Sequence, residues 1–233
     1  MKAMILAAGR GERMRPLTDR VPKPLLEIGG KPLIVWHVEK LRAAGFSELV
    51  INCSHLGDQI EAALGDGTRF DTRIFYTREA QPLETAGGIA YALHLLGAAP
   101  FAVVNADIYS DYPYERLAAA VAELVASATL AHLVLVDNPQ HHRDGDFALD
   151  GCRVACTGSR LTFSGIAAYC PQFFAQIAPG TRAALAPLLR AEIEGAHVTG
   201  EHYRGCWHDV GTPERLERIN AQLAARAGPG AGL

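Results

Sequence analysis

Residues 6–25 read LAAGRGERMRPLTDRVPKPL. They run on from KAMILA (2–7), a short apolar stretch that reads as a buried strand. A glycine-rich turn straight after a first strand lies beyond the carboxyl end of that strand, where α/β sheets bind ligands. Gly9 and Gly11 allow backbone N–H groups to approach phosphates closely. Two common phosphate motifs fail here. A dinucleotide fingerprint needs a third glycine at 14, where Met14 stands, and a P-loop needs GK[ST], which does not follow. The turn instead carries Arg10, Arg13 and Arg15, with Lys23 framed by Pro22 and Pro24. The two prolines stiffen the backbone around a long cation, so that it can be aimed. Bare backbone plus this much positive charge suits a triphosphate. A solvated basic loop is the plain alternative.

Strands and helices alternate outward from this turn. Apolar runs at 48–53, 73–77, 101–107 and 132–138 read as strands. Between them, 32–44, 55–64, 87–96 and 114–126 read as helices, the first opened by Pro32 and closed by Gly45. This order predicts an α/β fold with a mixed, mostly parallel central sheet flanked by helices. After residue 138 the rhythm changes. Short runs FAL, RVAC and LTFSGIAAY look antiparallel, helices follow near 171–177 and 183–194, and a strand CWHDV (206–210) leads into a helix from Pro213 to about residue 227. One domain over 1–227 is expected, with a disordered tail at 228–233.

The chain has 233 residues, 49% hydrophobic and 20% charged, with a formal net charge of −3. That balance is ordinary for a globular protein and argues against a broad nucleic-acid or membrane footprint. No apolar run reaches the length of a bilayer span. The start, MKAMILAAGRGERMR, turns charged where a signal peptide would stay apolar, so a cytoplasmic protein is expected. Five cysteines without CxxC or zinc spacing suggest free thiols.

The pattern LAAGxGxRMRPLT…PKPL resembles the signature loop of the sugar-1-phosphate nucleotidyltransferases. These enzymes join a nucleoside triphosphate to a sugar-1-phosphate and release pyrophosphate. The resemblance implies a Rossmann-like nucleotide-diphospho-sugar transferase fold. It also implies that Leu6, Ala7, Ala8, Gly9, Gly11, Glu12, Arg13 and Lys23 wrap the triphosphate. In that family Arg13 would hold the departing pyrophosphate and Lys23 would touch the phosphates.

Asp107 ends the strand FAVVNAD, and Asp209 ends the strand before GTPERL. Each would project at the carboxyl edge of the sheet. Two carboxylates beside a triphosphate suit Mg²⁺, which takes one or two carboxylates plus phosphates and waters. Either Asp alone could be a helix cap; the resemblance gives them the metal role. QPLETAGG (81–88) opens a helix with free N–H groups. By the same resemblance Gln81, Gly87 and Gly88 would read the nucleobase, the glycines giving the ring room.

Three later segments, VLVDNPxHHxxGDF, LTFSGI and GEHYRGxWxDVGTxERL, resemble one branch of the family, which transfers a uridylyl group to N-acetylmuramate 1-phosphate. They imply UTP and that sugar phosphate as substrates, with Asn105, Asp137, Gly145, Asp146, Ser164 and Gly165 around the sugar phosphate. Residues 1–138 would then form a nucleotide half and 139–227 a sugar half, in a monomer or small homo-oligomer. His141 and His142 are adjacent and would point opposite ways in an extended segment, so they do not read as a metal pair. A buried Gly165 in a strand reads as a close ligand approach or a bulge. The acceptor phosphate is already ionised, so no general base is required. Glucose- or mannose-type transferases, and a nucleotide-sugar sensor without turnover, are the rival readings.

Overall fold

β1 (Lys2–Leu6) buries Ala3, Met4 and Ile5 completely, and their alternation sets the two faces of the sheet. Ala3 and Ile5 pack with one apolar cluster and Met4 with another on the opposite face. A computed structural model describes residues 1–227; the tail expected at 228–233 lies outside the described residues. After β1 the glycine-rich turn is folded into short 3-10 turns. The hairpin β2 (Glu27–Ile28) and β3 (Lys31–Pro32) then leads into α1 (Leu33–Ala43). β4 (Glu48–Cys53), α2 (Gly57–Leu64), β5 (Arg73–Arg78), α3 (Glu84–Leu96), β6 (Phe101–Asn105), β7 (Ile108–Ser110) and α4 (Tyr114–Val125) complete the first half. β8 (Ala131–Val136), β9 (Phe147–Asp150), β10 (Arg153–Ala155), β11 (Arg160–Tyr169), α5 (Leu185–Glu194), β12 (Val198–Tyr203), β13 (Trp207–Asp209) and α6 (Pro213–Ala227) follow.

The main sheet runs β5-β4-β1-β6-β11-β8-β12-β10-β9. Its first four strands are parallel, with helical crossovers between them. The chain steps outward from β1 to β4 and β5, then returns to place β6 on the other side of β1. That reversal makes β1/β6 the topological switch point, the crevice where open α/β sheets take ligands. Helices cover both faces. Ile34, Val38 and Leu41 of α1 and Leu117 of α4 share one cluster, whereas Ile89 and Leu96 of α3 and Leu189 and Ile193 of α5 share the other. Burying one such side chain stabilises the fold by roughly 1.5–3 kcal/mol. A third cluster joins Met14 of the glycine turn to Ile28, Leu33, Val210, Leu216 and Ile219, so α6 braces the turn from behind.

The antiparallel pairing expected for FAL, RVAC and LTFSGIAAY is present, but it outweighs the parallel part, so the main sheet is mixed and not mostly parallel. Of the strand pairings in the main sheet, four are parallel and five are antiparallel. β11 inserts antiparallel between β6 and β8, and β9 closes back onto β11, so this end curls into a barrel-like ring. The reason is chain length. Parallel neighbours need a crossover of a dozen or more residues, and the short turns joining β9, β10 and β11 leave no room for one. β12, in a segment not read as a strand, pairs parallel with β8. The helix expected near 171–177 is a single 3-10 turn over Pro171–Phe174. Among the described residues, no helix is long and apolar enough to cross a membrane. All five cysteines are unpaired.

Candidate active site

Gly11 takes the left-handed conformation (φ 64°), and a Cβ there would lie 2.8 Å from Thr18 Cγ2. Glycine is therefore required by both backbone and space. Thr18 donates its hydroxyl to Gly11 O at 2.8 Å, and Met14 N–H donates to the same carbonyl at 2.8 Å. With Met14 buried, the turn is closed on itself, while Arg13 and Glu12 stay exposed at its rim. Lys23 is 8% exposed and reaches across the switch point to Asp107, with Nζ to Oδ2 at 2.6 Å. The cation from the first loop thus meets the acid after β6.

Asp209 is brought to the same edge by a two-strand ladder. β13 pairs antiparallel with β7, with Asp209 opposite Ile108, and Val210 N–H donates to Asp107 O at 2.8 Å. Arg215 Nη1 donates to Asp209 Oδ2, and His141 Nε2 lies 3.0 Å from Asp209 Oδ1. Burial pushes the His141 imidazole below its ordinary pKa. Asp209 opposes this, and the charges of Arg215, His142 and Arg13 reinforce it. Two carboxylates at one sheet edge are a donor set of the kind that could hold Mg²⁺ together with phosphates and waters; among the described residues no group of three or more His, Cys, Asp or Glu side chains could hold a metal ion.

A cavity of about 580 Å³ runs along this edge. Leu6, Ala7, Ala8, Gly9, Gly11, Glu12, Arg13, Lys23, Asn105 and Asp107 line it, as do Arg10 and Gly211. Its far wall is made by Asn52, Glu79, Pro82, Glu84 and Thr85. Gln81 is exposed and does not line it. Gly87 and Gly88 are buried behind the wall, where the room they leave is filled by protein. A Cβ on Gly87 would meet Thr181 O at 2.4 Å, and one on Gly88 would meet Glu79 Oε1 at 2.8 Å. Gly87 N–H is engaged by Ala183 O at 3.1 Å. Glu84 holds φ 60° and pairs with Arg182, Oε1 to Nη2 at 2.6 Å. A segment from the second half of the chain therefore straps the wall of the first.

Of the residues expected around the sugar phosphate, Asn105 lines the cavity, whereas Asp137, Gly145, Asp146, Ser164 and Gly165 do not. Ser164 and Gly165 form a bulge in β11 against β8. Gly165 (φ 79°) is the close approach of protein to protein: a Cβ would lie 2.6 Å from Asn105 Nδ2. Asp146 is used on both oxygens, accepting from Phe163 N–H at 2.8 Å and facing His142 Nε2 at 3.1 Å. Gly145 (φ 60°) lets the same loop pass Asn138 and Arg160. Asp137 follows β8, faces His202 Nε2 at 2.9 Å through Oδ1, and has a side chain 74% exposed. His141 and His142 do point to different carboxylates, Asp209 and Asp146.

Asn52, Glu79, Arg215 and the His141 contact are site features that the sequence reading passed over. Asn52 sits at the end of β4, where a polar residue interrupts ELVINC, and that interruption was the available signal.

Residues 2–155 match the nucleotidyl transferase family. The N-acetylmuramate alpha-1-phosphate uridylyltransferase of Neisseria meningitidis serogroup B is 52% identical over 230 residues, covering 97% of this chain and 99% of that protein. A mannose-1-phosphate guanyltransferase of Schizosaccharomyces pombe is 30% identical over 226 residues, covering 92% of this chain and 62% of that protein. A solved Bacillus anthracis structure described as a glucose-1-phosphate thymidylyltransferase shares the fold, with a TM-score of 0.83 at 23% identity over 95% of this chain and 94% of that one. With a glycine-rich turn, a buried lysine and its acid partner at one switch point, and with these matches over nearly its whole length, the chain belongs to the nucleotidyl transferase family.

Proposed function

We propose that this protein transfers a uridylyl group from UTP to N-acetylmuramate α-1-phosphate, giving UDP-N-acetylmuramate and pyrophosphate. The observation that carries it is the meeting of Lys23 and Asp107 at 2.6 Å inside the cavity of the glycine turn. The choice of base and sugar rests on the full-length likeness to the Neisseria uridylyltransferase.

In the reaction an ionised oxygen of the sugar phosphate attacks the α-phosphorus of UTP. A new P–O bond forms, the bond to the β-phosphate bridging oxygen breaks, and pyrophosphate leaves with the electron pair. Backbone N–H groups of the glycine turn would hold the triphosphate, and Arg13 and Lys23 would take up charge growing on the leaving group. Asp107 and Asp209 would hold Mg²⁺, which when bound neutralises phosphate oxygens. With the metal bound, Lys23 would turn from Asp107 to the phosphates, and Asp209 would give up its contacts with His141 and Arg215. Asn105, beside the cavity mouth, and the exposed oxygen of Asp137 would bind the sugar phosphate. Gly145, Asp146, Ser164 and Gly165 would shape that subsite from behind. Gln81 and the first turn of α3 would border the base, with Gly87 and Gly88 setting the position of that wall.

In this reading residues 1–138 are the nucleotide half of a Rossmann-like nucleotide-diphospho-sugar transferase and 139–227 the sugar half. The enzyme works in the cytoplasm as a monomer or small homo-oligomer. A panel of UTP, dTTP and GTP against N-acetylmuramate, glucose and mannose 1-phosphates, read by pyrophosphate release with Mg²⁺, tests it. Fastest release with UTP and N-acetylmuramate 1-phosphate is expected. Faster release with dTTP and glucose 1-phosphate, or with GTP and mannose 1-phosphate, overturns the substrate choice.

A further inference from the structure

Asp107 directly precedes β7, and Asp209 ends β13. These two strands form a small sheet of their own, outside the nine-stranded one. Two strands alone are marginally stable, so their position must be fixed by what they pack against. Val210 N–H donates to Asp107 O at 2.8 Å, and Asp111 N–H donates to Cys206 O at 3.1 Å. In an antiparallel pair the bonded positions alternate, so the backbone groups of Ile108 and Ser110 face away from β13. α1 holds both outward carbonyls. His37 Nε2 donates to Ile108 O at 2.9 Å, and Lys40 Nζ donates to Ser110 O at 2.7 Å. Three residues apart on one helix, His37 and Lys40 share a face. β7 is thus fastened to α1.

β13 has a different anchor. Trp207 Nε1 donates to Ser164 O at 2.9 Å. Ser164 is buried in the bulge of β11, where the register with β8 shifts between Phe163 and Ile166 and the pairing with β6 starts only at Ile166. A buried carbonyl taken out of its ladder needs a donor, and the indole supplies one. The next residue, Gly165, packs against Asn105, which lines the cavity two residues before Asp107. Trp207 and Asp209 are two residues apart in a strand, so both side chains leave β13 on the same face. The bulge therefore joins the main sheet to the strand that carries Asp209. Asp209 also meets Arg215 and His141, but in the proposed reaction it gives up both. The indole bond uses neither carboxylate oxygen and stays when the acid changes partners.

Resting on the metal role proposed for Asp209, we infer that Trp207 is a positioning residue: its indole N–H, seated on the β11 bulge, holds β13 so that Asp209 meets the metal opposite Asp107. The ring itself touches neither metal nor nucleotide in this account. Removing the N–H while keeping an aromatic ring should loosen Asp209 and leave the glycine turn as it is.

The test is calorimetric binding of UTP with and without Mg²⁺, in the wild type and in Trp207→Phe, which needs no turnover. The wild type is expected to bind UTP more tightly when Mg²⁺ is present. In Trp207→Phe that gain should shrink by about threefold to tenfold, the range for one lost hydrogen bond, while UTP affinity without Mg²⁺ is unchanged. A merely structural role would lower the melting temperature and leave the gain from Mg²⁺ as in the wild type. That result in a folded variant overturns the inference and leaves the metal reading intact. A wild type whose UTP binding is indifferent to Mg²⁺ overturns both. Should Trp207→Phe fail to fold, exchange of the wild-type indole N–H with water decides, read by NMR with the Trp36→Phe variant identifying the signal. Slow exchange in the presence of Mg²⁺ and UTP is expected. Fast exchange there would show the anchor released in the loaded site and would overturn the inference.

Discussion

Lys23 Nζ and Asp107 Oδ2 lie 2.6 Å apart, yet their side chains are unequally covered, Lys23 being 10% exposed and Asp107 42%. The pair holds the cation and the acid in mutual neutrality in the wall of the cavity. In the proposed reaction both would be freed together, the cation to the phosphates and the acid to the metal.

The inequality predicts an asymmetric pair of mutants. Asp107→Ala strands a nearly buried ammonium and should cost about 1–2 kcal/mol in urea unfolding. Lys23→Met removes the buried charge and leaves an acid that water can reach, so its loss should be smaller. Both should lose turnover while keeping a native circular dichroism spectrum. Equal destabilisation by the two would contradict the burial argument.

Asp146 and Asp137 should separate in the same way. Asp146 accepts from Phe163 N–H and faces His142, so Asp146→Asn should lower stability by about 1–2 kcal/mol. Asp137 is largely exposed, and Asp137→Asn should leave the melting temperature nearly unchanged while raising KM for the sugar phosphate. Thermal melts and sugar-phosphate titrations of both variants check this. A lower melting temperature only for Asp137→Asn would reverse the roles assigned.

His37 gives an acid dependence of stability. Its ring lies between Tyr114 OH at 2.8 Å and the Ile108 carbonyl at 2.9 Å. Burial pushes its pKa down to about 4. The Ile108 carbonyl and Asp107 oppose this, and Lys40 reinforces it. The unfolded chain takes up a proton near pH 6.5, before the native state does. Stability from this residue is therefore complete above about pH 6.5 and lost as the pH falls toward 4, by about 3 kcal/mol. Urea unfolding should show wild type well above His37→Gln at pH 7, with the gap narrowing by pH 4.5. A gap independent of pH would contradict the neutral buried imidazole.

Much of the frame was legible because its causes are local. ELVINC is a strand over the same six residues that the apolar run marks, and the carboxyl-edge position of Asp107 follows from the strand before it. Lys23 between prolines announced a held cation, and it is held. What escaped depends on distant partners. Glu79 looks like one charge in TREAQ until Asn52, 27 residues away, meets it. His141 gains meaning only from Asp209, 68 residues on. Gly87 and Gly88 read as space for a ligand, whereas Thr181 and Glu79 fill that space in the fold. The insertion of β11 between β6 and β8 likewise rests on long-range pairing that no local pattern encodes.

The most direct measurement is pyrophosphate release from UTP and N-acetylmuramate α-1-phosphate with Mg²⁺, in wild type beside Asp209→Asn. One pyrophosphate per UDP-N-acetylmuramate formed is predicted for the wild type, and none above background for a folded variant. Full activity in Asp209→Asn, or a wild type that forms no UDP-N-acetylmuramate, would contradict the two-carboxylate transfer site.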